Sequence, residues 1–241
     1  GRSGALVYCG GDDVLALLPL RTALATAVKL REQYGQAFHD WNKRFSHHEL
    51  PFTSSAGIAI VHHTSPLGAA LQAARRAEQR AKRCLREKDV VVVRFLKRSG
   101  EEVEAAGHWG DVQKLFFKVA AWFEREPSSD QAGGASETAP QGSQARMAQR
   151  FAQAAMQVAQ RLGTRDTFYA ELERLATRHL LPATPAEARN EVLAVVRELS
   201  QWAEQLQQEA GREDARRDEA GALWVASWVA MAAFIARGEL G

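Results

Sequence analysis

The stretch Ala5-Leu6-Val7-Tyr8-Cys9-Gly10-Gly11-Asp12-Asp13-Val14-Leu15-Ala16-Leu17-Leu18 decides the fold. Two apolar runs flank a short Gly-Asp centre, a pattern that predicts two strands joined by a tight turn. The turn presents Asp12 and Asp13 side by side. Neighbouring carboxylates repel, and a cation between them relieves the repulsion, so the tip is a candidate seat for divalent metal. Gly and Asp are also ordinary turn residues, and the tetrad alone reads equally as a polar turn.

Working outward, apolar residues Leu24, Val28, Leu30 and Tyr34 recur near one face of a predicted helix over 22–45. Residues 54–61, rich in β-branched side chains, predict a strand. Ser65 as a cap and Pro66 in the first turn open a second helix. Its apolar stripe is Leu67, Leu71, Ala74, Ala77, Ala81 and Leu85, and its other face carries arginines and Lys82. A further strand is predicted over 89–95. The order β-β-α-β-α-β is that of a ferredoxin-like split βαβ unit without its opening strand and helix.

The remaining chain changes character. Helices are predicted over 109–126, 145–162, 167–181, 186–209 and 221–237. Residues 127–144, rich in Gly, Ser, Ala, Gln and Pro, read as a flexible loop. The fold class is therefore α+β. A partial ferredoxin-like palm of the nucleotide-cyclase and polymerase type, lacking its first strand, covers 1–106. An all-helical bundle domain covers 107–241.

With 241 residues the chain can bury a substantial core. A formal net charge of +2 argues against a generally basic nucleic-acid coat. Cys9 and Cys84 make neither a disulfide framework nor a four-ligand zinc set, and point to a reducing cytoplasm. The apolar run over 223–236, about 14 residues, is shorter than the roughly 18–20 that span a membrane. It reads as a buried or partner-facing helix, and no membrane partner is expected. The chain opens Gly1-Arg2-Ser3-Gly4 without an initiator Met, which suggests a piece of a longer protein.

If the tip holds metal, the chemistry is that of phosphate. Asp12 and Asp13 supply hard oxygen ligands suited to magnesium or manganese. Gly10 and Gly11 leave room for a nucleotide to approach the backbone. Lys82 is a candidate triphosphate contact, or one residue of a solvated basic face. Ser54 and Ser55 either hydrogen-bond a nucleotide or are plain strand-edge residues. His47-His48 and His62-His63 resemble metal ligands, but neighbours on a strand point to opposite faces. These pairs, and His39-Asp40, read as surface or structural. In the helical part, Trp109, Phe116, Trp122, Trp202, Trp224 and Trp228 fall on helical periods and read as core.

Three segments together resemble a known family. They are Leu6 to Ala16, then Ser54-Ser55-Ala56-Gly57-Ile58-Ala59-Ile60-Val61-His62-His63 with Ser65-Pro66-Leu67, then Ala74-Arg75-Arg76-Ala77-Glu78-Gln79-Arg80-Ala81-Lys82. They resemble the palm hairpin, next strand and basic helix of the large subunit of type III CRISPR effector complexes, nearest the III-B (Cmr-type) branch. The resemblance covers residues 5–95 well and the helical part only in kind and position.

It implies a cyclase-like palm that joins ATP into cyclic oligoadenylates in antiviral defence when the complex binds target RNA. Asp12 and Asp13 would be metal ligands, Lys82 would contact triphosphate, and Ser55 would lie near the nucleotide. The helical part would pack against other protein subunits of the guide-RNA-bearing complex. The family's opening palm strand with its metal-binding Asp is not in this sequence, so the chain alone is expected to be inactive. Two other readings stand beside this one. The segment could serve mainly in assembly through the face of Trp224 and Trp228. It could instead resemble a diguanylate cyclase, although Asp13-Val14 stands where those enzymes have Glu-Phe.

Overall fold

The computed structural model describes residues 4–45, 52–86, 88–124, 143–161, 165–180, 184, 186–210 and 220–237. Contacts divide the chain into two compact units, Gly1–Ser54 and Ser55–Gly241. Each is described by itself.

The first unit holds β1 (Ala5–Gly10), β2 (Asp13–Leu17) and α1 (Leu20–Phe45). The two strands pair antiparallel, from Ala5 opposite Leu17 to Gly10 opposite Asp13, with an irregularity between Leu6 and Tyr8. Helix α1 starts two residues before the predicted 22. The Pro19 carbonyl accepts the amides of Thr22 and Ala23 at 3.1 and 3.0 Å. Proline's fixed φ and missing donor suit it to such an entry. Leu24 and Val28 are buried, and Tyr34 is more exposed than its place on the predicted face implies.

The second unit is built on β3 (Ala56–Ile60), β4 (Val90–Leu96) and β5 (Glu102–His108). Strand β4 is central, parallel to β3 through the crossover helix α2 (Leu67–Ala81) and antiparallel to β5. Val90 to Val93 are all buried. A run of apolar residues on both faces of a strand needs cover on both sides. Helix α2 supplies one layer, because a Cβ on Gly57 would collide with the Glu78 amide and the Ala74 carbonyl. The other face meets the helices, where Phe95 packs on Phe234 with ring centroids 4.4 Å apart. Fully burying each valine contributes roughly 1.5–3 kcal/mol.

Helix α3 (Trp109–Asp111) runs into a π turn (Val112–Phe116) and α4 (Phe117–Glu124). Then follow α5 (Ser143–Arg161), α6 (Arg165–His179), a 3-10 turn (Ala186–Ala188), α7 (Arg189–Glu209) and α8 (Ala220–Arg237). Within this unit α8 packs on α4, α5, α7 and β5. Trp224 and Trp228 are 4% and 1% exposed. The run over 223–236 is thus an interior helix. Among the described residues, no helix is long and apolar enough to cross a membrane.

The α+β character holds, with the palm-type element order through β4. Three local expectations need correction. The N-cap of α2 is Pro66 rather than Ser65, and it makes no side-chain cap bond. Strand β5 was not anticipated, because Glu-Val-Glu-Ala-Ala-Gly-His has little intrinsic strand preference and forms by pairing with β4. His62 and His63 follow the last residue of β3, so strand alternation does not separate them. Their rings lie 4.1 Å apart. Residue 106, the predicted domain boundary, falls within β5. The loop predicted over 127–144 lies outside the described residues except for Ser143 and Gln144, which open α5.

Candidate functional site

The tip of the first unit is a two-residue connection, Gly11-Asp12, between Gly10 and Asp13. Gly11 has φ 61°, and Asp12 is not left-handed. A positive φ at the first connecting residue alone suits a type II′ turn, whose twist matches that of the strands. Glycine is required there by the backbone, since no atom lies within 4 Å of where its Cβ would be. Asp12 and Asp13 are both exposed.

Gly10 is different. The space its Cβ would fill is taken by Tyr8, whose hydroxyl oxygen is 2.5 Å and Cζ 2.8 Å from that point. Cys9 points from the opposite face of the strand. Tyr34 of α1 lies near it there. The Tyr34 phenol is pushed above the ordinary tyrosine range, first by the nearby Cys9, then by burial and by Asp12.

The second unit carries the other two predicted contacts. Ser55 is half-buried just before β3, and Lys82 is the exposed C-cap of α2. Since α2 runs back along β3 with Glu78 over Gly57, both residues sit at the same end of this layer. Lys82 pairs with Glu78 one turn earlier on the surface. Arg80, read from sequence as part of the basic face, is half-buried against the sheet and meets Glu104 at 3.3 Å. Arg94 holds the same carboxylate at 2.7 Å.

Residues 1–92 match the family model "Cas10/Cmr2, second palm domain". The match takes in β1, β2, α1, β3, α2 and the first residues of β4. Residues 1–92 belong to that family. Over 115 residues the chain is 42% identical to the CRISPR system Cmr subunit Cmr2 of Pyrococcus furiosus, covering 47% of this chain and 12% of that protein. The chain therefore spans a small part of the relative's length.

The Cas10/Cmr2-type palm segment offers two hard carboxylates at its tip, a donor chemistry that fits magnesium or manganese. Among the described residues, no group of three or more His, Cys, Asp or Glu side chains could hold a metal. Asp12 and Asp13 are thus part of a ligand set at most. The histidine pairs do not add to it. His47 and His48 lie outside the described residues. His39 is exposed on α1, and its neighbour Asp40 accepts from Gln36 Nε2 at 3.0 Å. His62 accepts the Thr64 amide at Nδ1, 3.2 Å away. Its protonation is shifted below the ordinary histidine range by burial, then by His63 and Arg98. Sequence reasoning passed over Tyr8 and Tyr34. Tyr8 was within reach, because its place two residues before Gly10 puts both on one face of β1. Tyr34, 25 positions from Cys9, carried no local signal.

Proposed function

We propose that this chain is the palm and helical segment of a type III-B CRISPR effector large subunit that converts ATP into cyclic oligoadenylate. The Gly10-Gly11-Asp12-Asp13 hairpin, within residues that belong to the Cas10/Cmr2 second-palm family, carries this reading. Asp12 and Asp13 would hold magnesium or manganese, together with oxygen donors from elsewhere. A bound metal pair supplies activation of the attacking hydroxyl and charge neutralisation at the leaving pyrophosphate.

The chain's own residues do the rest. The left-handed Gly11 turns the chain so that both carboxylates stand clear of the strands. Lys82 places an ammonium against the triphosphate. Its surface pair with Glu78 is worth only about 0.3–0.5 kcal/mol, so a phosphate can displace it. Ser55 presents a hydroxyl beside the nucleotide. The elements up to the end of β5 at His108 would form the nucleotide-handling part and the helices after it the helical part. Protein subunits, guide RNA and target RNA are the partners of the assembled complex. Two free cysteines suit a cytoplasmic setting.

The test is Asp12→Ala with Asp13→Ala in the intact subunit, assembled into its complex and supplied with ATP and target RNA. Loss of the cyclic product by mass spectrometry, with assembly unchanged, is expected. Undiminished product would remove the two carboxylates from the site. The alternative assembly role finds no surface at Trp224 and Trp228, which are interior. A Trp228→Glu change would report on folding rather than on partner binding.

A further inference from the structure

Gly10 and Asp13 are direct cross-strand partners. Directly paired residues project from the same face of a hairpin, with Cβ positions roughly 4.5–5.5 Å apart. The Cβ position of Gly10 is occupied by the distal edge of Tyr8. Its hydroxyl oxygen is the nearest atom at 2.5 Å, followed by Cζ at 2.8 Å. The ring therefore leans along β1 towards the tip, and its hydroxyl stands on the face that Gly10 shares with Asp13. Tyr8 is also 55% exposed, so the phenol is open to solvent on its outer side.

The backbone does not explain Gly10. Among the described residues, the glycines with positive φ are Gly11 and Gly100. Any other residue at 10 would put a Cβ into the phenol and drive the ring away from the tip. The small residue at 10 and the tyrosine at 8 thus act as one device, which holds a neutral hydrogen-bond donor beside a carboxylate. A carboxylate can only accept, and it repels an incoming phosphate. A phenol next to it supplies the donor that a phosphate oxygen needs.

We propose that Tyr8, seated over Gly10, donates its hydroxyl to a phosphate oxygen of the bound nucleotide next to Asp13. This rests on the ATP-palm reading. It also gives Gly10 a different task from leaving room for the nucleotide itself.

The experiment compares Tyr8→Phe, Gly10→Ala and the double variant in the intact subunit within its complex. Two quantities are read: the KM and kcat of product formation, and equilibrium ATP binding in magnesium. A hydrogen bond to a charged group corresponds to roughly ten-fold or more in affinity. Tyr8→Phe should therefore raise KM and weaken ATP binding by about that factor, with a smaller change in kcat. Gly10→Ala should do the same by displacing the phenol. The double variant should be no worse than either single one. An unchanged KM and ATP affinity in Tyr8→Phe overturns the proposal. So does a double variant whose losses multiply, because Gly10 would then serve the nucleotide directly. If the wild-type complex neither binds ATP nor makes product, the ATP reading falls and this inference with it. If the wild type is active and sensitive to the Asp12 and Asp13 changes while the Tyr8 variants are silent, only the role of Tyr8 is lost.

Discussion

Trp228 donates its indole N–H to the Ala106 carbonyl at 2.9 Å, tying α8 to β5 across 122 positions of sequence. The indole also packs edge-on against Phe116 and stacks with Trp202, at centroid distances of 5.4 and 6.2 Å. A Cβ on Gly107 would lie 2.8 Å from Trp202 and 3.4 Å from the Trp228 indole nitrogen. The strand can approach the two tryptophans so closely because residue 107 has no side chain. Trp228→Phe should leave the Ala106 carbonyl buried without its donor and cost about 1–3 kcal/mol. Trp228→Ala should cost about 3–5 kcal/mol through the added cavity. Denaturant titration of the purified chain reads both, and a Trp228→Phe change within a few tenths of wild type would contradict the first.

Gly57 and Gly68 should respond in opposite ways to the same substitution. A Cβ at Gly57 meets backbone atoms of α2, which cannot rotate aside as a side chain can. Gly57→Ala must therefore push α2 off β3, at a cost of about 1–3 kcal/mol or more. Gly68, in the first turn of α2, has nothing within 4 Å of its Cβ position. Gly68→Ala should be neutral or stabilising by up to about 1 kcal/mol. Thermal melts of the two variants should move to opposite sides of the parent, or Gly68 should match it.

Asp111 sets a pH dependence. Burial raises its pKa above the ordinary value of 3.8, Glu209 raises it further, and His108 and Lys114 work against them. His108 also donates Nε2 to Glu209 at 2.6 Å. A carboxyl with a raised folded pKa binds more protons folded than unfolded between the two values. Its contribution to stability is therefore lost as pH rises through that window and regained as pH falls. Asp111→Asn should stabilise the chain near neutral pH and remove this part of the slope. Urea midpoints measured from about pH 4 to 7 would show it, since the window opens at the ordinary carboxylate range. Parallel curves for parent and variant would refute it.

Gly11 should tolerate substitution according to backbone preference alone. With φ at 61° and no neighbour to strike, Gly11→Ala should cost about 1–2 kcal/mol. Gly11→Asn should be milder, because Asn enters the left-handed region more readily, and Gly11→Val should be the worst. Amide exchange along β1 and β2 is the measurement. The expected order of acceleration is Val, then Ala, then Asn.

Much of this architecture was legible in the chain. The Gly-Gly-Asp-Asp turn, the period of α1 and α2, and the β-branched runs of β3 and β4 are signals spaced by one to four residues. Backbone geometry converts each directly into a turn, helix or strand. Strand β5 was not legible, because Ala105, Ala106 and Gly107 are small residues whose strand state comes from pairing with β4 and cover by Trp202 and Trp228. The π turn over Val112–Phe116 also left no mark in the apolar period. At the candidate site the carboxylates and the shared face of Tyr8 and Gly10 could be read from sequence, whereas the seating of the Tyr8 hydroxyl over Gly10 and the approach of Tyr34 to Cys9 could not.

The sequence by itself determined the hairpin, the residues at its tip, the palm-type order of elements and the apolar character of α8. Tertiary structure alone decided which surfaces those elements cover. It made α8 an interior helix, turned Arg80 and Arg94 onto Glu104, and put the Tyr8 ring where a Gly10 side chain would be. The physical reason is range. Local patterns fix torsion angles within a few residues, whereas close packing joins residues far apart in sequence, such as Ala106 and Trp228, by the fit of their shapes and hydrogen-bonding groups.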